Sequence, residues 1–216
     1  MTPPHIVYLH SHDTGRWLQP YGYAVATPNL QRLAEEGVLF RRAFCAAPTC
    51  SPSRAALLTG QCAHASGMIG LAHRGFRLRD ERQHLAHYLR DAGYTTVLCG
   101  MQHVTRDPHG TGYTRVLELA NRSAAVVAPA AADFLRSRPA APFFLDVGFE
   151  ETHRDFPSGG DGRYVQPPRP LPDAPEIRQD TADFIRSAHD LDLGIGQVLA
   201  ALEESGLTDN TLVIYT

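Results

Sequence analysis

Cys50-Ser51-Pro52-Ser53-Arg54, followed by Ala55-Ala56-Leu57-Leu58-Thr59-Gly60, is the stretch of this sequence richest in chemistry. From Ser51 to Thr59 the residues are helical in character and Pro52 suits a first turn. Cys50 therefore stands at a loop-to-helix junction. Unpaired backbone N–H groups there favour the anionic form of a thiol, and Arg54 adds a permanent charge one turn further in. Such a junction suits a tetrahedral anion such as sulfate or phosphate. The same residues also suit a buried cysteine ahead of an ordinary helix, and local physics does not separate the two. The other cysteines, Cys45, Cys62 and Cys99, complete no C-x2-C pair of the zinc type. In a chain of this size they form no disulfide framework either. Cys45 and Cys99 lie in strand-like apolar runs and are expected to be small core residues.

Three further polar groups each follow a β-type run. His12 and Asp13 come after His5–His10, His103 comes after a run ending near Cys99, and His153 and Arg154 come after Phe143–Phe149. In open α/β sheets ligands bind beyond the carboxyl ends of the strands. An isolated His-Asp pair is equally a surface turn with an Asx-type hydrogen bond. Most other histidines, His84 and His87 included, read as surface or helix-face residues. Asp190 and Asp192 read as solvated or as capping a neighbour, and Glu150 and Glu151 as strand-end carboxylates.

The elements that position these groups follow from pattern. Thr27 and Pro28 start a helix as N-cap and first residue; Leu30, Leu33 and Ala34 form its stripe and Gly37 ends it. Val38–Phe44 reads as a strand, Arg82–Ala92 as an amphipathic helix closed by Gly93, and Tyr94–Cys99 as a buried strand. Ser123–Arg136 is mainly helical, with a kink or break at Pro129. Phe143–Phe149 is the most strand-like run, 157–175 is a long Pro/Gly-rich loop, Asp180–Ser205 is a long helix and Thr211–Tyr215 a last strand. Alternating strands and helices predict an α/β fold with a largely parallel central sheet flanked by helices.

Composition bounds the function classes. At 216 residues, 43% hydrophobic and 20% charged, the chain can bury a real core. No apolar run approaches the ~20 residues of a membrane span. No basic-then-apolar leader is visible, so a cytoplasmic protein is expected. A pI near 6.4 argues against a general nucleic-acid binder. All 20 basic residues are arginine, which excludes lysine-dependent chemistry within these residues. The sequence stops at Thr216 directly after an apolar strand, which reads as a truncation.

Taken together, several motifs carry a resemblance along the whole chain. C-S-P-S-R with L-T-G, T-P-N-L-Q-R-L-A-E-E-G-V-L-F, A-A-P-T-C-S-P-S-R, D-A-G-Y-T-T and the final D-N-T-L-V-I-Y-T occur in order. In these the chain resembles the type I, formylglycine-dependent sulfatases of the alkaline phosphatase superfamily. The P-F-F-L run and His153-Arg154 look most like the sulfamidase branch.

The resemblance implies an alkaline-phosphatase-like sandwich, with residues 1–216 as an incomplete N-terminal catalytic domain that ends before a second metal-ligand turn. It implies hydrolysis of sulfate esters or sulfamates through formylglycine made from Cys50 by a formylglycine-generating enzyme. A divalent metal, Ca2+ first and Mn2+, Mg2+ or Zn2+ as alternatives, would be held by Asp13, His12 and the Cys50 position. Arg54 would hold the formylglycine, His103 would act as base, His153 would assist the leaving group, and Arg154 would bind substrate. The expected partner is a sulfated small molecule or sugar, with a homodimer possible and no nucleic acid or membrane. Two departures stand out. His12 replaces an aspartate, which biases the site towards Mn2+ or Zn2+, and Met101 replaces a sulfate-binding lysine. Phosphonate or phosphate ester hydrolysis and a catalytically inactive fragment are the alternatives.

Overall fold

The computed structural model describes residues 3–140 and 142–216. Five strands form one sheet: β1 (His5–His10), β2 (Thr95–Gly100), β3 (Arg115–Leu117), β4 (Phe143–Gly148) and β5 (Thr211–Tyr215). Their spatial order is β3-β2-β4-β1-β5 and every pair is parallel. The helices are α1 (Pro28–Glu36), α2 (Cys50–Thr59), α3 (Ala63–Ser66), α4 (Leu85–Asp91), α5 (Ala124–Arg136) and α6 (Pro175–Glu204). The predicted α/β class with a parallel sheet is the observed one. No helix among the described residues is long and apolar enough to cross a membrane.

Alternation along the strands builds two cores. Val7 and Leu9, Val97 and Cys99, and Phe143, Leu145 and Val147 face α5 and α6. Tyr8, Leu98 and Phe144 face the opposite layer, where Ala55 and Leu58 of α2 and Ala86 of α4 pack. Burying a large side chain of this kind contributes about 1.5–3 kcal/mol. Asp146 has the parity of Phe144, so its carboxylate lies under α2.

Because all five strands run the same way, the loops after β1, β2, β4 and β5 leave one edge of the sheet. Backbone hydrogen bonds tie them together there. His12 N donates to Glu151 O at 2.8 Å, Thr152 N to His12 O at 2.8 Å, and Ser11 N to Thr216 O at 3.0 Å. The β2 and β4 chains approach so closely at this edge that a Cβ on Gly148 would stand 1.8 Å from Met101 O and 2.5 Å from the His10 ring. Only glycine fits at that position.

Several expectations need correction. Val38–Phe44 is not a strand: among the described residues no strand pairs with it, and Val38, Phe40 and Phe44 are exposed. A β-type run without a ladder partner has nothing to hold it extended. Cys45, in the same run, is exposed rather than core, whereas Cys99 is buried as expected. The Arg82–Ala92 helix is divided into a 3-10 turn (Glu81–Gln83) and α4, because His84 is extended and caps α4 through Nδ1, which accepts from Ala86 N. His84 is consequently buried and not a helix-face residue. Pro129 neither ends nor interrupts α5. The hydrogen bond it removes would have reached Ala125, an exposed residue whose carbonyl water can satisfy.

Thr27 occupies the N-cap of α1, but its hydroxyl accepts from Gln19 N instead of capping. The first-turn N–H groups of Asn29 and Leu30 donate to the fully buried Asp192 carboxylate of α6, at 3.1 and 2.9 Å. That is the neighbour-capping role, and α6 begins at Pro175, five residues ahead of the predicted start. Glu151 does the same for α5 by accepting from Ala124 N at 2.9 Å.

Candidate active site

Cys50 is the first residue of α2, half-buried, with Thr49 as an N-cap that makes no side-chain bond. The N-terminus of α2 thus points unpaired N–H groups at the sheet edge. His12 comes from the β1 loop and His103 from the β2 loop. The ligand-capable atoms of His12, Cys50 and His103 all lie within 4.8 Å of one another, as do those of His12, Asp13 and His153. Residues up to 141 positions apart in sequence therefore share one site, with His12 common to both groups.

The local backbone is shaped for this. Asp13 and His103 both have positive φ, 62° and 56°. Non-glycine residues adopt that conformation uncommonly, mostly where the surroundings impose it. Asp13 is 61% exposed, whereas the His12 side chain is 2% exposed. The His12 and His153 rings meet edge to face at 4.5 Å, and His153 Nε2 lies 3.9 Å from Asp13 Oδ2. Burial, with the Arg54 charge, pushes the His12 imidazole down to about 4, against the opposing pull of Asp13. His12 is neutral at physiological pH. Burial also lowers His103, helped by His73, Arg54 and Arg122.

Arg54 is held from beneath. Its Nη1 donates to His10 Nδ1 at 2.5 Å and its Nη2 to Ser11 O at 2.8 Å. His10 in turn donates from Nε2 to Asp146 Oδ1 at 2.9 Å, and the Tyr113 hydroxyl donates to the second Asp146 oxygen. Asp146, His10 and Tyr113 are all buried.

Arg154 is placed differently. Its guanidinium is engaged by Asp180 at 2.5 and 2.7 Å and lies 4.6 Å from the centroid of the Phe156 ring. Met101 is buried and supplies no cation. Sequence reasoning missed four groups that complete the site. His73 stacks on His103, with His73 Nδ1 3.2 Å from His103 Nε2; Arg122 acts on His103 electrostatically; His10 and Asp146 support Arg54. For His10 the signal was available, since a histidine that ends a buried strand beside a candidate site has little else to do.

The donor set tests the expected metal. Three buried polar atoms of the site, His12 Nδ1, His103 Nδ1 and Arg54 Nε, have no hydrogen-bond partner; His12 Nδ1 stands 3.1 Å from Asp13 Oδ1, and the imidazole nitrogens are donors of the kind a cation takes. The two side-chain groups contain three imidazoles, one thiol and a single carboxylate. Ca2+ takes six to eight oxygen ligands, of which these two side-chain groups supply a single carboxylate.

A doubly covered parallel sheet with a helix N-terminal cysteine, a supported arginine and three histidines at its carboxyl edge is the arrangement of an alkaline-phosphatase-like fold. The Sulfatase family model matches residues 4–216, and the chain belongs to that family. It is 34% identical over 229 aligned positions to human N-sulphoglucosamine sulphohydrolase, covering 89% of this chain and 45% of that protein. The chain thus spans about half the length of this curated relative. Among solved structures it resembles BT4656 in complex with D-glucosamine-2-N,6-O-disulfate (TM-score 0.74, 18% identity, 100% of this chain and 65% of that one). It also resembles the phosphonate monoester hydrolase of Silicibacter pomeroyi (TM-score 0.71, 19% identity, 100% and 62%). At such identities these two likenesses concern the fold.

Proposed function

We propose that this chain carries the nucleophile side of a hydrolase acting on sulfate esters or sulfamates of a sugar. The observation that carries the reading is the meeting of Cys50, Arg54, His12, Asp13, His103 and His153 at one edge of the sheet, in a chain matched to the Sulfatase family over 4–216. Converted to formylglycine, whose hydrated aldehyde supplies a hydroxyl nucleophile for sulfur, the Cys50 side chain would stand beside the His12 and His103 imidazoles.

Each remaining role follows from chemistry at a named atom. Arg54, fixed by His10 and Ser11, presents positive charge to the anionic sulfate at the α2 N-terminus. His103, neutral and with Nδ1 free, accepts a proton from the nucleophile. His153, exposed at the rim, donates a proton to the departing oxygen or nitrogen. Arg122 supplies cationic charge that acts on His103. Arg154 reaches substrate only by giving up Asp180.

A sulfated glucosamine is the favoured substrate class, on the activity that names the human relative and the ligand bound to BT4656. The nitrogen-rich donor set favours, as second reading, a phosphonate or phosphate monoester. The test is the full-length protein co-produced with a formylglycine-generating enzyme and given N-sulfoglucosamine, an aryl sulfate and an aryl phosphonate monoester. The expected result is sulfate release, with phosphonate turnover lower. Phosphonate turnover exceeding sulfate release would exchange the two readings.

A further inference from the structure

We infer that His73 is a positioning residue for the base of the proposed reaction. It holds His103 in the tautomer that carries hydrogen on Nε2 and leaves the Nδ1 lone pair for the nucleophile, which rests on the reading of His103 as that base.

One ring nitrogen of His103 lies within 4.8 Å of Cys50 Sγ. Its Nε2 is engaged, 3.2 Å from His73 Nδ1, with the two rings 11° from parallel and their centroids 5.4 Å apart. Nδ1 is buried and has no partner among the described residues. With Nε2 engaged, a proton from the nucleophile can arrive only at Nδ1. Burial, then the neighbouring His73, Arg54 and Arg122, favour the neutral ring. A neutral imidazole holds one hydrogen, so a lone pair on Nδ1 requires that hydrogen on Nε2. His103 Nε2–H then donates to His73 Nδ1. Donation in the opposite sense would put the hydrogen on Nδ1 and abolish the base. His73 is exposed, so water can serve its own remaining N–H.

The backbone on both sides of this contact is held. His73 is the middle residue of a 3-10 turn, Ala72–Arg74, which Gly75 closes at φ 92°. Ala72 N donates to Ser51 Oγ at 3.1 Å, and Ser51 follows Cys50 in α2. Arg106 Nη2, from the β2 loop that carries His103, donates to His73 O at 3.2 Å. On the other side, Gln102 Oε1 accepts from Val104 N at 2.5 Å and Thr105 N at 3.0 Å, bracketing His103 at its positive φ. The turn bearing His73 is thus tied both to the helix bearing the nucleophile and to the loop bearing the base. Two rings so placed meet with little further ordering cost.

The contact strengthens as the proton moves. When the nucleophile O–H bond breaks, its electron pair stays on oxygen and the proton passes to His103 Nδ1. Nε2 keeps its hydrogen, and the ring becomes positive. Its hydrogen bond to the His73 lone pair is then charge-assisted and about twice as strong. An interaction gained only on the way to the transition state raises kcat and leaves substrate binding unchanged.

Two measurements on the full-length protein test this. In the unconverted thiol form, labelled with 15N-histidine, two-bond 1H–15N correlations read the His103 tautomer, its signals assigned by their loss in His103→Gln. In the converted form, sulfate release gives kcat and KM. The parent should show His103 with hydrogen on Nε2. His73→Ala should show a mixture of tautomers and a kcat lower by about tenfold, with KM nearly unchanged. Imidazole added to His73→Ala should restore part of that loss. His73→Asn, whose Oδ1 can accept in place of Nδ1, should keep the Nε2–H tautomer and lose clearly less. His73 lies outside both cores, and circular dichroism checks that each variant folds. Hydrogen on Nδ1 in the parent, an unchanged tautomer in His73→Ala, or a loss confined to KM would each overturn the assignment. The tautomer is read without turnover, so absence of sulfate release from the parent would count against the hydrolase reading alone.

Discussion

His10 holds Arg54 through its lone pair: Nη1 of the guanidinium donates to His10 Nδ1 at 2.5 Å, and the opposite ring nitrogen donates to Asp146 at 2.9 Å. Arginine has no acceptor, so His10 is the neutral tautomer with hydrogen on Nε2. Burial lowers its tendency to protonate, in agreement. Arg54 thus owes its direction to a carboxylate two residues beneath it, and the β1–β4 register, which sets Tyr8 beside Asp146, brings that carboxylate to the right row.

Asp146→Leu should therefore be strongly destabilising. It strands two buried donors, His10 Nε2–H and the Tyr113 hydroxyl, each costing about 1–3 kcal/mol. Denaturant unfolding should show a loss of about 2–5 kcal/mol. Asp146→Asn, which keeps one acceptor, should lose clearly less. Equal losses would mean that the carboxylate is not the acceptor for both groups.

His84 gives a pH dependence whose sign is fixed. Burial pushes its imidazole down to about 4, with Asp146 opposing. Between that value and the unfolded value of 6.5 the unfolded chain binds more protons, so stability falls as pH falls through this window. Going from pH 7 to pH 5 should cost about 2 kcal/mol from this group. His84→Asn keeps a cap acceptor for Ala86 N and cannot titrate. Its stability should fall less over the same interval, measured by urea unfolding at both pH values. Parallel losses in the two proteins would contradict the assignment.

The framework of the fold was legible because it depends on local pattern. The His5–His10 and Thr211–Tyr215 strands were predicted at their observed bounds, since an alternating or continuous apolar run bounded by polar turns leaves little choice. Val38–Phe44 failed because β-type composition says nothing about whether a partner strand exists. The Arg82–Ala92 boundary failed because a histidine cap looks like any helix residue until its ring is seen to turn back.

The site was legible in a different way. Cys50, His12, Asp13, His103 and His153 were each singled out by motif or position, and the structure brings them together. The carboxylate beneath Arg54 was not visible, since Asp146 reaches His10 across 136 positions and no spacing rule spans such a separation. Asp192 was readable as a cap for a neighbour, but not that the neighbour is α1, 163 positions away. Arg154 was expected to face substrate, but a nearby acidic partner, Asp180, captures its planar guanidinium in two bonds.

Arg122 offers a test of how the site manages without lysine. Its charge helps lower His103, so Arg122→Ala should raise the imidazole and shift the acid limb of the pH–rate profile to higher pH. An unchanged profile would remove Arg122 from the account.

The central claim is that Cys50, after conversion, is the nucleophile. The most direct measurement pairs two quantities across preparations of the full-length protein with graded formylglycine-generating enzyme: the fraction of Cys50 converted, by peptide mass, and the rate of sulfate release. The account predicts that rate rises in proportion to conversion and that Cys50→Ala releases no sulfate above background. Sulfate release that persists with Cys50 unconverted, or in Cys50→Ala, would contradict it.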